Sequence, residues 1–264
     1  MNVGLMLLLL REVRSQKMIY LVLAFVIYVV WLVGIATSFD VRDGIIDPVR
    51  ILNREGSLIE LRANFGIGTF IILLLGVAIA ATLVPNVMKT GMVDLLHSKP
   101  ITRTGILLSS LVVGGFVCFV LLALLFVSIW CCWGARLGIW WTGLLVALGP
   151  ALLVVLIVNA YVVFFGVLTR RYVLSMFLTW CWVFLFATIL ELKDRLLYPI
   201  LDNGMFRSII DAMYYIVPQT GDLYILVQHA VFGGYIDYQP LLYSFLSALV
   251  AFSVSVYVFD RKNF

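Results

Sequence analysis

The chain has 264 residues, 64% of them hydrophobic and only 12% charged, with a mean hydropathy of +1.12. That balance excludes a water-soluble globular domain as its main body. The net charge of +4 fits attraction of membrane-flanking Lys and Arg to anionic lipid headgroups, and it points to no nucleic-acid partner.

Residues 1–17 place the apolar run Leu5 to Leu10 before Arg11, Glu12, Arg14 and Lys17. Bases at helical spacing after an apolar run predict an amphipathic helix lying at the cytoplasmic interface. Beyond it, charges are missing from six intervals, and a helix needs about 20 apolar residues to cross the hydrocarbon core. The six predicted spans are 18–38, 65–84, 106–132, 143–168, 173–190 and 240–259. Continuous apolar runs of this length mean helices, because lipid offers the backbone no hydrogen-bond partners. The basic cluster follows the first apolar stretch and no small-residue cleavage pattern appears after 18–39, so span 1 is expected to stay in the mature protein.

With the amino terminus inside, the inner segments carry ten basic against three acidic residues, and the outer segments eight against eleven. This asymmetry predicts both termini in the cytoplasm. The outer segment 39–63 is rich in charge, and Val49, Leu52, Leu58 and Leu61 recur at spacing three. Short amphipathic surface helices are expected there, as a solvated cap. The outer segment 191–238 carries two helical stripes around Pro218-Gln219-Thr220-Gly221, which predicts two short helices joined at a turn. Whether they dip into the outer leaflet or lie on it stays open. No internal repeat is evident, and 1–264 reads as one all-α, six-helix transmembrane domain.

Cys118, Cys131, Cys132 and Cys181 all fall inside spans, where Cys acts as a small apolar residue, so neither a disulfide framework nor a metal site is expected. The spans have no ionisable residue in their central portions, which disfavours a proton-driven mechanism. Asn159, Thr179 and Thr188 are the main polar groups there, and each more often bonds a neighbouring helix than a substrate. No G-x-x-x-x-G-K-[ST] phosphate loop and no H-E-x-x-H metalloprotease pattern occurs, and His97 and His229 fall on opposite sides. The chain is therefore not expected to be an enzyme by itself.

The inner segment Pro85 to Gly105 reads PNVMKTGMVDLLHSKPITRTG. Met92, Val93, Leu95 and Leu96 are predicted to form a short apolar helix within the inner loop 86–103, stopped by Pro100. Apolar residues exposed at a cytoplasmic surface need a partner groove to cover them, and a packed rigid element transmits motion better than coil.

The run from Thr90 to Arg103, TGMVDLLHSKPITR, resembles the segment E-x-x-x-G-T-x-x-x-L-L-x-x-P-[IV]-x-R that joins spans 2 and 3 in type-2 ATP-binding-cassette permeases. The amino-terminal LLREVRSQK, the outer YYIVPQTGDLY and the ending FDRKNF agree with that family in order. The chain departs from the pattern at Met88, Lys89 and Thr90, where the family often has an acidic residue, at Met92 and at Ser110. The resemblance implies an exporter permease in the inner membrane. In it, 88–100 would be a coupling helix, with Gly91, Met92, Val93, Asp94, Leu95, Leu96, His97, Ser98, Lys99, Pro100 and Arg103 meeting a separate cytoplasmic ATPase subunit. That ATPase would bind the ATP and Mg, and this chain no cofactor. A second permease copy or homologue would complete the path. Two other readings remain at this stage: an ATP-driven mechanotransmitter serving an extracytoplasmic assembly or maturation protein, and a non-transporting scaffold or intramembrane enzyme.

Overall fold

A computed structural model describes residues 3–15, 17–42, 45–51, 54–56, 58–88, 102–193, 197–199, 204–235 and 237–261. In chain order the elements are α1 (Val3–Ser15), α2 (Met18–Val29) with a π-helical turn (Val30–Ile35), β1 (Thr37–Arg42), β2 (Ile45–Ile51) and β3 (Arg54–Gly56). Next come α3 (Leu58–Ala80), α4 (Leu83–Val87), α5 (Arg103–Leu137), α6 (Gly143–Val146) and α7 (Leu148–Thr169). Then α8 (Tyr172–Trp180) runs through a second π-helical turn (Cys181–Phe186) into α9 (Ala187–Glu191), followed by α10 (Gly204–Ile216), α11 (Thr220–Phe232) and α12 (Gln239–Arg261).

The charge-free intervals become helices because an apolar backbone segment in lipid must close its hydrogen bonds internally. Among the described residues, Ile59–Val87, Thr104–Leu137, Gly143–Thr169, Tyr172–Glu191 and Gln239–Arg261 are long and apolar enough to cross a membrane. Gly4–Arg14 and Ile19–Ile35 reach that length only as a pair, and the pair is bent by 71°. Helix ends follow local chemistry. Thr102 caps α5 by accepting the Gly105 N–H at 3.2 Å, and Gly138, at φ 70°, closes α5 in the left-handed conformation that glycine adopts without strain. Arg170 takes the same role after α7 at φ 55°.

Side-chain contacts fix the direction of the helices. Asn86 Nδ2 donates to Glu12 Oε1, and Phe259 packs with Val84, Met88, Leu107, Val163 and Val167. These contacts gather α1, α4, the start of α5, the end of α7 and the end of α12 at one end of the bundle. At the other end Trp133 Nε1 donates to the Val33 carbonyl at 3.1 Å, and Arg136 to the Thr37 carbonyl at 3.0 Å. α2 and its π-helical turn therefore run in the same direction as α5, from the basic end to the opposite one.

The centre is α3, α5 and α7, held close by small residues. A Cβ on Gly114 would stand 2.6 Å from Asn159 Oδ1 and 3.2 Å from the Ala80 Cβ, so only glycine permits that approach. Asn159 itself donates to the Val155 carbonyl at 3.2 Å and to Cys118 Sγ at 3.7 Å, linking α7 to α5.

Segment 39–63 corrects the expectation of surface helices. It forms an antiparallel sheet in the order β1-β2-β3, and α3 starts at Leu58 rather than at residue 65. The spacing-three signal had joined Val49, a strand residue, to Leu58 and Leu61, which belong to the first turns of α3. The β-branched Val41, Ile45, Ile46, Val49 and Ile51 suit a pleated ribbon. Pairing shifts between Phe39↔Val49 and Val41↔Ile46, leaving Asp47 and Pro48 opposite Asp40. Proline has no N–H for the ladder, so a bulge is where a strand can accept it.

Candidate functional site

Two regions combine polar chemistry with a built shape: the basic end, and the segment 204–232 at the opposite end. At the basic end, α1 buries Leu5, Leu9 and Val13 at four-residue spacing, while Arg11 and Arg14 are exposed and Glu12 is half-buried. Lys17, at the start of α2, is exposed. Arg170 and Arg171 join α7 to α8 beside Pro85, Asn86 and Tyr172, which line an open groove of about 710 Å³. Of the expected coupling residues, Gly91, Met92, Val93, Asp94, Leu95, Leu96, His97, Ser98, Lys99 and Pro100 lie outside the described residues. Arg103 is the first residue of α5. Both flanks of the segment are well anchored: Met88 is buried in the cluster with Phe259 and Leu107, and Thr102 makes the α5 cap.

At the opposite end, α10 and α11 form a hairpin whose tip enters the bundle. Val217 and Gln219 are buried at the tip. The Gln219 N–H donates to Ser244 Oγ at 2.9 Å, and Thr220 Oγ1 donates to the Val183 carbonyl at 2.7 Å. Tyr161, in the middle of α7, donates to Ser247 Oγ at 2.9 Å and reaches the Ile216 carbonyl at 3.5 Å. Ser247 lies roughly two turns into α12, so at 1.5 Å per residue the tip sits about 12 Å below the bundle end. The tip is seated on protein partners within the bundle, an arrangement separate from the question of how the segment meets the outer leaflet. The helices expected around Pro218 to Gly221 are α10 and α11; the polar partners that seat them, Tyr161, Ser244 and Ser247, carried no local signal.

The base of the hairpin is charged. Lys193 pairs with Asp211, Tyr198 donates to the same carboxylate at 2.5 Å, and the Lys193 ammonium stands 4.4 Å from the Tyr214 ring centroid. Hydrogen bonds from Lys193, then Tyr198, hold the Asp211 carboxyl below its ordinary range. The Asp211 carboxylate in turn pushes the Tyr198 phenol up. Glu191 Oε1 accepts the Gly221 N–H at 2.6 Å in the first turn of α11, where the helix dipole favours a carboxylate.

Between the hairpin and the central helices is a cavity of about 260 Å³, walled by residues that include Thr69, Phe70, Leu122, Ala151, Phe184 and Tyr224. Phe70, Phe184 and Thr188 also line an adjoining groove of about 520 Å³. No composition or periodicity signal marks this cavity, because its walls come from six separate elements. Among the described residues, no three His, Cys, Asp or Glu side chains converge as a metal ligand set. Cys131 is exposed and Cys132 half-buried, so the adjacent pair diverges. Compared with known proteins, the chain matches no family model and no curated protein.

Proposed function

We propose that the chain is the membrane-spanning subunit of an ATP-driven exporter, with six crossings, both termini in the cytoplasm of a cell bounded by this inner membrane, and its ATPase on a separate polypeptide. The observation that supports this best is the framing of segment 89–101. It leaves from buried Met88 and returns through the Thr102 cap, at the end that also carries Arg11, Arg14, Lys17, Arg170, Arg171 and Arg261. Basic residues in short connections favour the cytoplasmic side, so a soluble partner there meets a segment stiffly rooted in α4 and α5. Motion imposed on it passes to α3, α5 and α7 through packed side chains, which shift between discrete arrangements.

On this reading, Gly91 to Pro100 and Arg103 contact the ATPase, which holds ATP and Mg, and α1 lies at the cytoplasmic interface. The exposed apolar faces of α8 and α12 are covered by lipid and by a second permease copy. Leu95→Asp and Leu96→Asp test the contact: each puts a carboxylate where an apolar knob is needed, and the ATPase should no longer co-purify while the chain stays in the membrane. Retention of both the ATPase and transport in both variants would overturn the coupling assignment.

A further inference from the structure

We propose that the cavity beneath the hairpin holds one hydrocarbon chain of a lipid-like amphiphile whose head group bears hydroxyls or an amine, drawn from the half of the bilayer beside the hairpin. The inference builds on the membrane placement of the bundle and gives the permease reading a cargo class.

The walls choose the chain. Phe70, Leu122, Ala151 and Phe184 are apolar, and the hydroxyls of Thr69 and Thr220 already donate to the Phe65 and Val183 carbonyls, at 2.9 and 2.7 Å. A void so lined offers water too few partners, and an apolar cavity of roughly 150 Å³ already takes up benzene. At about 260 Å³ the present one has room for a longer hydrocarbon. Left empty, its lining would forfeit dispersion contacts.

The mouth chooses the source. Phe70, Phe184 and Thr188 are shared with the adjoining groove, which continues past Phe177 and Leu185. Phe177 and Leu185 are more than half exposed, on a helix long and apolar enough to cross the membrane. The fluid at that mouth is acyl chain. The wall at the mouth belongs partly to the π-helical turn Cys181–Phe186, where the Val183 carbonyl accepts from Thr220; such turns are frequent at functional positions.

The rim chooses the head group. Gly221 lines the cavity and gives its N–H to Glu191, while Asp222, next in sequence, accepts from Tyr214 at 3.2 Å. The Asp222 carboxylate and the Glu191 carboxyl accept hydrogen bonds at this rim, which suits an amine or hydroxyl head better than an anionic one.

The test uses the full chain in neutral vesicles, with diazirine-bearing long-chain amine, alcohol and fatty acid as probes and cross-links mapped by mass spectrometry. The expected result is labelling concentrated at Phe70, Phe184 and Tyr224, with amine and alcohol above fatty acid. Because the probes already lie in hydrocarbon, cavity labelling relative to the α12 face should rise with chain length only through added wall contacts, and level off once the cavity is full. Ala151→Phe should reduce labelling there to the level of the exposed α12 face. Leu122→Ala should move the chain-length plateau to longer probes, a readout that survives if the filled variant fails to fold. Labelling spread evenly over α12 and the cavity, or a chain-length series unchanged in Leu122→Ala, overturns the proposal. No ATPase is present in the assay, so either outcome leaves the coupling assignment to its own test.

Discussion

α7 and α12 run in the same direction, pack against each other and are both strongly apolar, yet they live in different surroundings. In the best crossing window of each, 67% of Gly143–Thr169 is buried inside the chain against 17% of Gln239–Arg261. α7 is surrounded by protein, with Asn159, Tyr161 and Gly166 each fitted to a neighbour. α12 touches the bundle through a narrow strip of small residues, Ser244, Ala248, Ala251 and Ser255, and turns Leu242, Phe245, Leu249 and Tyr257 outward. Hydropathy reports the solvent a helix needs; the distribution of small and polar residues reports which side meets protein.

The contrast breaks most visibly at Gly114 and Gly166, which sit where the central helices touch. A side chain on Gly166 would stand 3.0 Å from the Val84 Cβ. Gly166→Leu and Gly114→Leu are each expected to destabilise by about 1–3 kcal/mol or more, as overpacked core positions do, seen as a lowered detergent-solubilised melting temperature. Leu249→Ala, on the outward face of α12, should stay within about 0.5 kcal/mol. Equal losses at the two kinds of position would erase the distinction between α7 and α12.

The seam with the hairpin gives the next effect. Ser244→Ala leaves the buried Gln219 N–H without its acceptor, at a cost of about 1–3 kcal/mol. Hydrogen exchange should then quicken at the hairpin tip before it changes in α3. Tyr161→Phe removes a hydrogen bond without leaving a buried donor, so about 1 kcal/mol is expected. A tip that exchanges as slowly in Ser244→Ala as in the unaltered chain would mean that the inserted seat is held by other contacts.

The smallest effect belongs to the exposed base of the hairpin. Because the Asp211 carboxyl is lowered by Lys193 and Tyr198, its contribution to stability is present above the unfolded carboxylate value of about 3.9. It is lost as pH falls through the lower folded value. Exchange in α10 should therefore rise on acidification below about pH 4, and Asp211→Asn should flatten that step.

The apolar helices were legible because a charge in hydrocarbon is costly, so the gaps between Lys17 and Asp40 or between Arg171 and Glu191 outline helices that the fold reproduces to within a few residues at most ends. Thr102 and Gly138 likewise mark helix ends by local chemistry. What was not legible depends on distant partners. The sheet at 37–56 was hidden by a spacing that mixed Val49 with α3 residues, and the depth of the hairpin depends on Tyr161, Ser244 and Val183, far from Pro218 in sequence. Apolarity on both sides of Pro218 was compatible with lying on the membrane or dipping into its outer leaflet, and carried no sign of the bundle contacts. The cavity, assembled from α3, α5, α7, α9, α11 and the second π-turn, exists only in the folded chain.

The central claim is that this chain works with a separate ATPase at its basic end. The most direct measurement is purification of the native complex in mild detergent, with co-purifying polypeptides identified by mass and ATP hydrolysis assayed. A soluble ATPase present in equal ratio and lost in Leu95→Asp is the predicted result. A chain that purifies from membranes where it is active, reproducibly without any ATPase, contradicts it.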